Sequence, residues 1–314
     1  MESKALAHPT KDVAPVSFVM PALNAARTIS QSVQSILSGN FSAADELIIV
    51  NDGSTDGTQG ILTKLQKRFP FIVIINNAKN IGCPASRNIG VTAAKNSLIF
   101  NLDADDLLVP NSRFALQQFL LQQNADVAAF GEIHYFVTHP KYPTHKWMCA
   151  TGLISLADYL ASYIVPGGNY LYTKKRWREV GGYAEDGKGL HEFWGFSLKQ
   201  IASGSRFVVL PNSYYLHRYG QNSLYVRESR KSDTALVAFR MIEPYLDRLC
   251  SEDADYVRKT STTGQWLSCL NERPLRLHSG EVGRPGNVVV QKYKRTPDYI
   301  FHAGVQRIRR RLAQ

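Results

Sequence analysis

The sequence lacks long apolar stretches and an apolar leader. Nowhere in its 314 residues do about 18 apolar residues run together, the length that marks a candidate transmembrane helix. Residues 1–14 carry charges and Pro9 but no apolar core of the kind found in secretory signal peptides. These two absences predict a cytoplasmic protein without a membrane span.

Cysteines are few and far apart. The four are Cys83, Cys149, Cys250 and Cys269. No pair has the C-x-x-C spacing of a zinc site or a redox motif. The cysteine pattern therefore favours a reducing compartment and gives no sign of a structural metal.

Glycine-rich phosphate-binding motifs are also missing. The chain contains no G-x-x-x-x-G-K-[ST] and no G-x-G-x-x-G after a strand. This argues against P-loop ATPases and dinucleotide-dependent dehydrogenases. A diphosphate bound by this chain would need a cation to balance its charge.

Acidic residues are outnumbered, with 26 Asp and Glu against 37 Lys and Arg, which gives a formal net charge of +11. Residues 271–314 hold ten basic and three acidic residues, so this segment carries +7 of the total. A basic protein favours acidic partners such as phosphates, nucleic acid or an anionic membrane. No nucleic-acid motif accompanies the charge, so we predict no specific nucleic-acid partner.

Short apolar runs alternate with segments of helical periodicity in the first third of the chain. Predicted strands cover residues 16–20, 46–50, 71–75 and 97–102, and predicted helices cover residues 28–38, 58–69 and 84–94. Such alternation predicts right-handed βαβ crossovers and an α/β fold with a mainly parallel sheet flanked by helices. Later in the chain, the sequence predicts a strand at residues 126–135, irregular structure from there through Trp147 and a further strand at residues 206–210.

Polar clusters follow three of these predicted strands, at Pro21 to Asn24, Asn51 to Asp56 and Asp103 to Asp106. Ligands of open α/β sheets bind beyond the carboxyl ends of the strands, so the three clusters are expected to share one crevice. The Asp103 to Asp106 cluster offers carboxylate oxygens, which Mg²⁺ and Mn²⁺ prefer. Both acidic clusters are equally typical of ordinary capped turns, and the residues alone leave these two interpretations open.

Four segments in this order resemble the motifs of family 2 glycosyltransferases, which are inverting enzymes with the GT-A nucleotide-diphospho-sugar transferase fold. In chain order, the four segments are Pro21 to Asn24, Glu46 to Asp56, Asn80 to Gly90 and Leu102 to Asp106. The resemblance is good over residues 15–135. It implies transfer of a sugar from a nucleotide diphosphate donor, with UDP as the default, to a hydroxyl of a glycan or lipid-linked acceptor in polysaccharide or cell-envelope synthesis.

The resemblance also implies roles for individual residues. Asp52 would accept a hydrogen bond from the donor base and Arg87 would lie near the base or the phosphates, whereas Asp105 with Asp103 would hold Mn²⁺ or Mg²⁺ against the diphosphate. The first loop would contribute Pro21, Ala22 and Asn24 to the donor site. The cation would stabilise the departing nucleotide diphosphate.

Inverting transfer also needs a general base for the acceptor hydroxyl. The family usually supplies it from a Glu-Asp pair ahead of a helix, and here Phe193 stands in place of the second acid. Glu192 is therefore the candidate base, with Glu185 and Asp186 behind it, although an acid at the start of a helix is equally typical of a solvated helix end.

Further ring-bearing side chains are candidates for the same site. By the resemblance, His217 is a candidate third metal ligand, with a purely structural histidine as the alternative. Trp147, Trp177 and Trp194 could stack on sugar rings or belong to the core.

The chain divides, on this interpretation, into a leader (1–14), a nucleotide-sugar-binding half (15–106), an acceptor-binding half (107–228) and a helical, basic extension (229–314). In the extension, Phe301 and Leu312 bound an amphipathic segment rich in arginine, which fits peripheral membrane contact or packing against protein.

A catalytically silent module that binds sugar nucleotides is the alternative function, motivated by Phe193. Nucleotidyltransferases share nucleotide sites at strand ends, but their glycine-rich and lysine signatures are absent.

Overall fold

The computed structural model describes residues 13–161, 166, 168–185, 192–220, 234–263, 275–284 and 291–292. Its strands are β1 (Val16–Ala22), β2 (Glu46–Asn51), β3 (Ile72–Asn76), β4 (Leu98–Asn101), β5 (Val127–Phe136), β6 (His145–Met148), β7 (Gly152–Ile154), β8 (Leu171–Thr173), β9 (Phe207–Arg218) and β10 (Gln291–Lys292). Its α-helices are α1 (Ile29–Leu37), α2 (Thr58–Arg68), α3 (Cys83–Ala93), α4 (Ser112–Gln122), α5 (Leu156–Ala161), α6 (Lys174–Glu179), α7 (Glu192–Ala202), α8 (Thr234–Ile242) and α9 (Ser251–Lys259). A 3₁₀ helix, Glu243–Arg248, joins the last two.

The first four strands form a parallel sheet in the order β3-β2-β1-β4. Side chains of β1 and β2 are buried on both faces of this sheet, as expected where helices cover a parallel sheet. Alternate residues of each strand enter opposite apolar clusters, so that Val19 packs on one side and Phe18 and Met20 on the other. The predicted α/β architecture is confirmed.

The predicted strand and helix positions agree with the structure to within one or two residues, apart from three differences. Pro21 does not end the first strand, because β4 pairs with β1 only as far as Val19 and the missing N–H of Pro21 therefore costs no ladder bond. The segment predicted to be irregular through Trp147 contains β6. The strand predicted over residues 206–210 continues to Arg218 as β9.

The second half of the domain extends the sheet through β8, which is antiparallel to both β4 and β5. Strand β5 therefore runs in the same direction as β4, and β9 is parallel to β5. The carboxyl ends of β5 and β9 consequently lie at the same edge of the sheet as those of β1, β2 and β4. Strand β6 pairs with the end of β5, and β10 pairs with β6.

In the described part of the predicted C-terminal extension, apolar residues such as Ala238 and Ile242 join the core of the body, and one arginine adds polar contacts. The Arg284 side chain donates to Asp158 on α5, to Oδ1 at 2.9 Å and to Oδ2 at 2.7 Å. It also donates to the backbone oxygens of Thr151 and Leu153, at 3.0 and 2.8 Å. The amphipathic segment from Phe301 to Leu312 and most of the predicted leader lie outside the described residues. No helix among those described has both the length and the apolar character to cross a membrane.

The Asp158 contact with Arg284 predicts a pH-dependent contribution to stability. Burial raises the pKa of Asp158, but the hydrogen bonds from Arg284 and the Ser155 N–H outweigh burial and bring the pKa to about 2. Because the folded-state pKa lies below the ordinary value of about 3.9, the stabilisation is complete above about pH 4 and disappears as the pH falls towards 2.

Asp158→Asn should therefore lower the free energy of unfolding by on the order of 1–2 kcal/mol at neutral pH, an amount limited by the half-exposed Arg284. Urea titrations between pH 7 and pH 2 measure this, and the gap between variant and wild type should narrow below pH 4. Asp255→Asn removes an exposed pair with Arg258 and is the control, expected to change stability little. A gap that stays constant down to pH 2 would contradict the assignment.

Candidate active site

The three polar loops predicted to converge do follow neighbouring parallel strands. Strand β1 lies between β2 and β4, so the loops after β2 and β4 flank the loop after β1. Asp52 follows β2 and Asp103 comes two residues after β4, and strands two positions apart are separated by about 10 Å. The loops therefore border one crevice at the carboxyl edge of the sheet.

The loops after β1 and β2 are fastened to each other. The Asn24 N–H donates to Ser54 Oγ at 2.9 Å, and Asn24 Oδ1 accepts from the Thr55 N–H at 2.8 Å. Asn24 has a φ of 51°, a conformation that asparagine tolerates better than most residues. Pro21 and Ala22 are buried in β1, so only Asn24 of the three predicted donor-site residues in this loop is exposed.

Asp52 is buried, at 3% exposure, and its carboxylate holds the loop before α3. Oδ1 accepts from Asn77 Nδ2 at 2.8 Å and from the Ile81 N–H at 3.0 Å, while Oδ2 accepts from the Gly82 N–H at 3.0 Å. The neighbouring Gly53 has a φ of +68°, and a Cβ there would come within 2.6 Å of the Asn80 nitrogen. The loop and the end of β2 are thus in direct backbone contact.

Arg87, on α3, is only 1% exposed and lies between two carboxylates. Its Nη2 contacts Asp103 Oδ1 at 2.5 Å, and its Nη1 forms an ion pair with Glu192 Oε1 on α7. The guanidinium lies over the Phe193 ring, 3.9 Å from its centre. Arg87 therefore joins the aspartate loop to the start of α7, and its side chain is not exposed to a ligand.

Glu192 is buried beside Arg87, and burial raises the pKa of its carboxyl although the Arg87 charge opposes this. Oε2 is buried and has no hydrogen-bond partner among the described residues, and the Cys83 thiol lies close to the carboxylate. Phe193, which replaces an acid in the family pattern, packs edge-on against Tyr170 and Tyr183. A Cβ at Gly168 would come within 2.3 Å of this ring.

Asp106 organises the aspartate loop from inside the protein, with no solvent exposure. It accepts hydrogen bonds from Asn169 Nδ2 at 2.6 Å and from the Arg218 N–H at 2.8 Å, and its Oδ2 lies 2.9 Å from His217 Nδ1. Asn169 Oδ1 in turn accepts from the Asp103 N–H at 3.0 Å. These bonds tie the aspartate loop to the segment before β8 and to the end of β9.

Asp105 has a half-buried carboxylate, and among the described residues only burial and neighbouring charges, not a hydrogen bond, shift its pKa. Burial, followed by the charges of Asp106 and Asp103, raises its pKa to about 7. The oxygens of Asp105, with those of Asp103 nearby, are of the kind that a hard divalent cation prefers. The chemistry of Asp105 and Asp103 therefore fits the metal that the fold family implies.

His217 is brought to the aspartate loop but faces Asp106. Burial lowers the pKa of the imidazole, but the Asp106 carboxylate raises it by a larger amount, so that the pKa is about 9. Within the described ranges, no three His, Cys, Asp or Glu side chains are arranged to hold a metal ion. His217 is therefore paired with Asp106. A metal ion at the aspartate loop would be held by few side chains of the described residues.

Asn88, next to Arg87, builds the other wall of the site. Its Nδ2 donates to the backbone oxygen of Tyr183 at 2.9 Å and to Glu185 Oε1 at 2.8 Å. Its Oδ1 accepts from Trp177 Nε1 at 3.1 Å. Gly182 has a φ of +67°, and a Cβ there would lie 2.6 Å from Asn88 Oδ1. Trp177 is therefore part of the framework, as is Trp194, whose ring stacks on Tyr159.

Sequence reasoning missed two residues that shape the aspartate loop, Asn169 and Arg218. Asn169 precedes β8 after a glycine pair, which marks a close backbone approach without revealing its partner. Arg218 directly follows His217, and its Nε donates to the Asp105 backbone oxygen at 3.0 Å. Asp186 and His191 lie outside the described residues.

Two relatives align with most of the chain. The uncharacterized glycosyltransferase YibD of Escherichia coli K12 is 27% identical over 262 residues, which are 77% of this chain and 73% of the relative. An uncharacterized glycosyltransferase of Haemophilus influenzae is 25% identical over 233 residues, which are 69% of this chain and 70% of the relative.

Solved structures of similar fold include Staphylococcus aureus TarS 1-349 in complex with UDP, with a TM-score of 0.58, 15% identity, and coverage of 90% of this chain and 98% of that chain. The mannosyltransferase PcManGT of Pyrobaculum calidifontis, in complex with GDP-Man and Mn²⁺, gives a TM-score of 0.60 at 14% identity, with coverage of 84% and 72%. Against a longer TarS chain the alignment spans 43% of that chain. At these identities the likeness shows a shared GT-A fold.

The model of glycosyl transferase family 2 matches residues 17–183, more than half of the chain and all three loops of the crevice. The match ends at Tyr183, in the turn that Asn88 holds, and so also includes Arg87. This chain is a glycosyltransferase of family 2.

Proposed function

We propose that this glycosyltransferase moves a sugar from a UDP-sugar donor to a hydroxyl of a glycan or lipid-linked acceptor, with inversion and with a divalent cation. The observation that carries the proposal is the Asp105 carboxylate, which lies close to Asp103 at the edge where three loops meet and has no hydrogen-bond contribution to its pKa from the described residues. The UDP-GlcNAc complex of TarS and the GDP-Man and Mn²⁺ complex of PcManGT support the class of donor.

Asp105 would hold the cation together with Oδ2 of Asp103, because Oδ1 of Asp103 is engaged by Arg87. A bound Mn²⁺ or Mg²⁺ supplies positive charge where the departing nucleotide diphosphate becomes more negative. Asn24 and the loop that Asp52 holds would border the nucleoside, because they flank the same crevice. His217 contacts Asp106 and so helps to hold the loop that carries Asp105.

Glu192 is proposed as the general base that accepts the proton of the acceptor hydroxyl. Arg87 holds Oε1, which fixes the carboxylate, and leaves Oε2 without a partner among the described residues. Burial raises the pKa of this carboxyl, which brings it nearer to the range useful for proton transfer at neutral pH.

A catalytically silent sugar-nucleotide-binding module is the second candidate. It is favoured by the packing of Phe193 over Arg87, which fills the place of the family's second acid, and by the low exposure of Glu192, at 9%.

Asp105→Asn should abolish metal-dependent activity, because an amide is a weaker ligand and carries no charge. We expect donor hydrolysis or transfer from a UDP-sugar with Mn²⁺ to fall by about 100-fold or more. The stabilisation of the protein by UDP with Mn²⁺ in a thermal-shift assay should fall as well. Asp255→Asn, an exposed change on α9, is the control, and wild-type turnover by Asp105→Asn would refute the metal assignment.

Glu192→Gln should retain UDP binding but slow transfer by about 100-fold or more, because the amide cannot accept the proton. Glu185→Gln is the comparison, since Glu185 is exposed and bonded to Asn88. Full transfer by Glu192→Gln together with loss in Glu185→Gln would move the base to Glu185. Nucleotide binding without hydrolysis across a donor panel, unchanged by Glu192→Gln, would favour the silent module.

We also propose peripheral contact of the basic extension with an anionic membrane, supported by the +7 charge of residues 271–314. Full-length protein should sediment with phosphatidylglycerol liposomes at low salt, and protein lacking residues 301–314 should sediment less. Equal sedimentation of the two proteins would remove this part of the proposal.

A further inference from the structure

A set of rings lies beside the aspartate loop, and apart from His217 none of them has a role in the mechanism above. The rings belong to Tyr135 on β5, His145 and Trp147 on β6, His217 on β9 and Tyr219 just after it, and we call them the ring cluster. In the ladders, Tyr135 is paired with His145 on one side and with His217 on the other. Side chains paired in this way project from the same face of a sheet.

Tyr135 is the centre of the ring cluster. Its ring stacks on His145 with centroids 4.5 Å apart and planes 8° apart. The rings of His217, Trp147 and Tyr219 lie 5.0, 5.6 and 6.2 Å from it. Such spacings are those of mutually supporting aromatic pairs, so the surface is held in shape before any ligand binds.

The ring cluster continues directly from the proposed metal site. His217 contacts Asp106, the residue after Asp105, and Tyr135 contacts His217. Because β5 and β9 end at the same edge as β4, the rings extend this edge on the side away from β2 and Asp52. A molecule lying on the rings would therefore meet the crevice from the side opposite the nucleoside.

The outer member of the ring cluster is open to solvent. Tyr219 is 45% exposed, so one face of the cluster can be reached by a ligand. Its backbone is nevertheless fixed, since the Tyr219 N–H donates to the Phe136 oxygen at 2.8 Å. The cluster combines apolar ring faces with hydroxyl and imidazole groups at their edges.

We propose that the ring cluster is the subsite for a pyranose ring of the acceptor, with Tyr219 as its exposed contact. A pyranose has a face of C–H bonds, which is attracted to the negative face of an aromatic ring, and a rim of hydroxyls, which suits phenol and imidazole edges. This inference rests on the proposed function, because it is the continuity with the donor site that identifies the occupant as the acceptor.

The test uses full-length protein with UDP and Mn²⁺ on an array of immobilised pyranose oligosaccharides. Tyr219→Ala should lower the apparent affinity for the glycans that wild type binds by about tenfold, whereas Tyr219→Phe should keep most of it, because stacking needs the ring. Tyr214→Ala is the matched control, since Tyr214 lies on β9, the strand that Tyr219 follows, but stacks on His134 at the opposite face from His217.

Thermal stabilisation by UDP with Mn²⁺ is measured on every variant and should be unchanged by Tyr219→Ala. If UDP with Mn²⁺ does not stabilise the wild-type protein, the proposed function itself is overturned. With nucleotide binding intact, the subsite is overturned if wild type binds no glycan, if Tyr219→Ala binds as wild type does, or if Tyr214→Ala loses as much affinity as Tyr219→Ala.

Discussion

The site depends on one buried arginine side chain, whose positive charge is shared between two carboxylates. Arg87 is almost fully enclosed, and it draws Asp103 from the end of β4 and Glu192 from the start of α7 onto the same guanidinium. A buried guanidinium without such partners would be strongly destabilising, so the fold must bring both elements to it. The parallel sheet and the later helix are thereby tied into one site, and the stacked Phe193 shields the arrangement from water.

The parallel part of the fold could be predicted from the sequence, because its strands are continuous apolar runs and its helices show a clear period. The convergence of the three loops followed from the direction of parallel strands alone. The later strands were harder to predict. Strand β6 lies in a segment rich in histidine and aromatic residues, and its conformation depends on pairing with β5 rather than on its own pattern.

The sequence predicted which residues border the candidate site better than it predicted what their side chains contact. The resemblance located Asp52 and Arg87, but a motif does not state whether a side chain points to a ligand or to its own protein. Asp52 accepts three hydrogen bonds from the chain, and Arg87 is enclosed by acids and a ring. Asn169 was missed because its partners, Asp103 and Asp106, are more than 60 positions away, and no local pattern reports such a distance.

The contact between Gly53 and the backbone at Asn80 makes the turn after β2 and the loop before α3 mechanically inseparable. A single added methyl group at position 53 would push the second loop outwards and pull it from the carboxylate beneath it. Under the proposed donor site, preference for one nucleobase over another would be altered by exchanging exposed side chains such as Ile81, whereas the main-chain path between the two loops leaves no room for change.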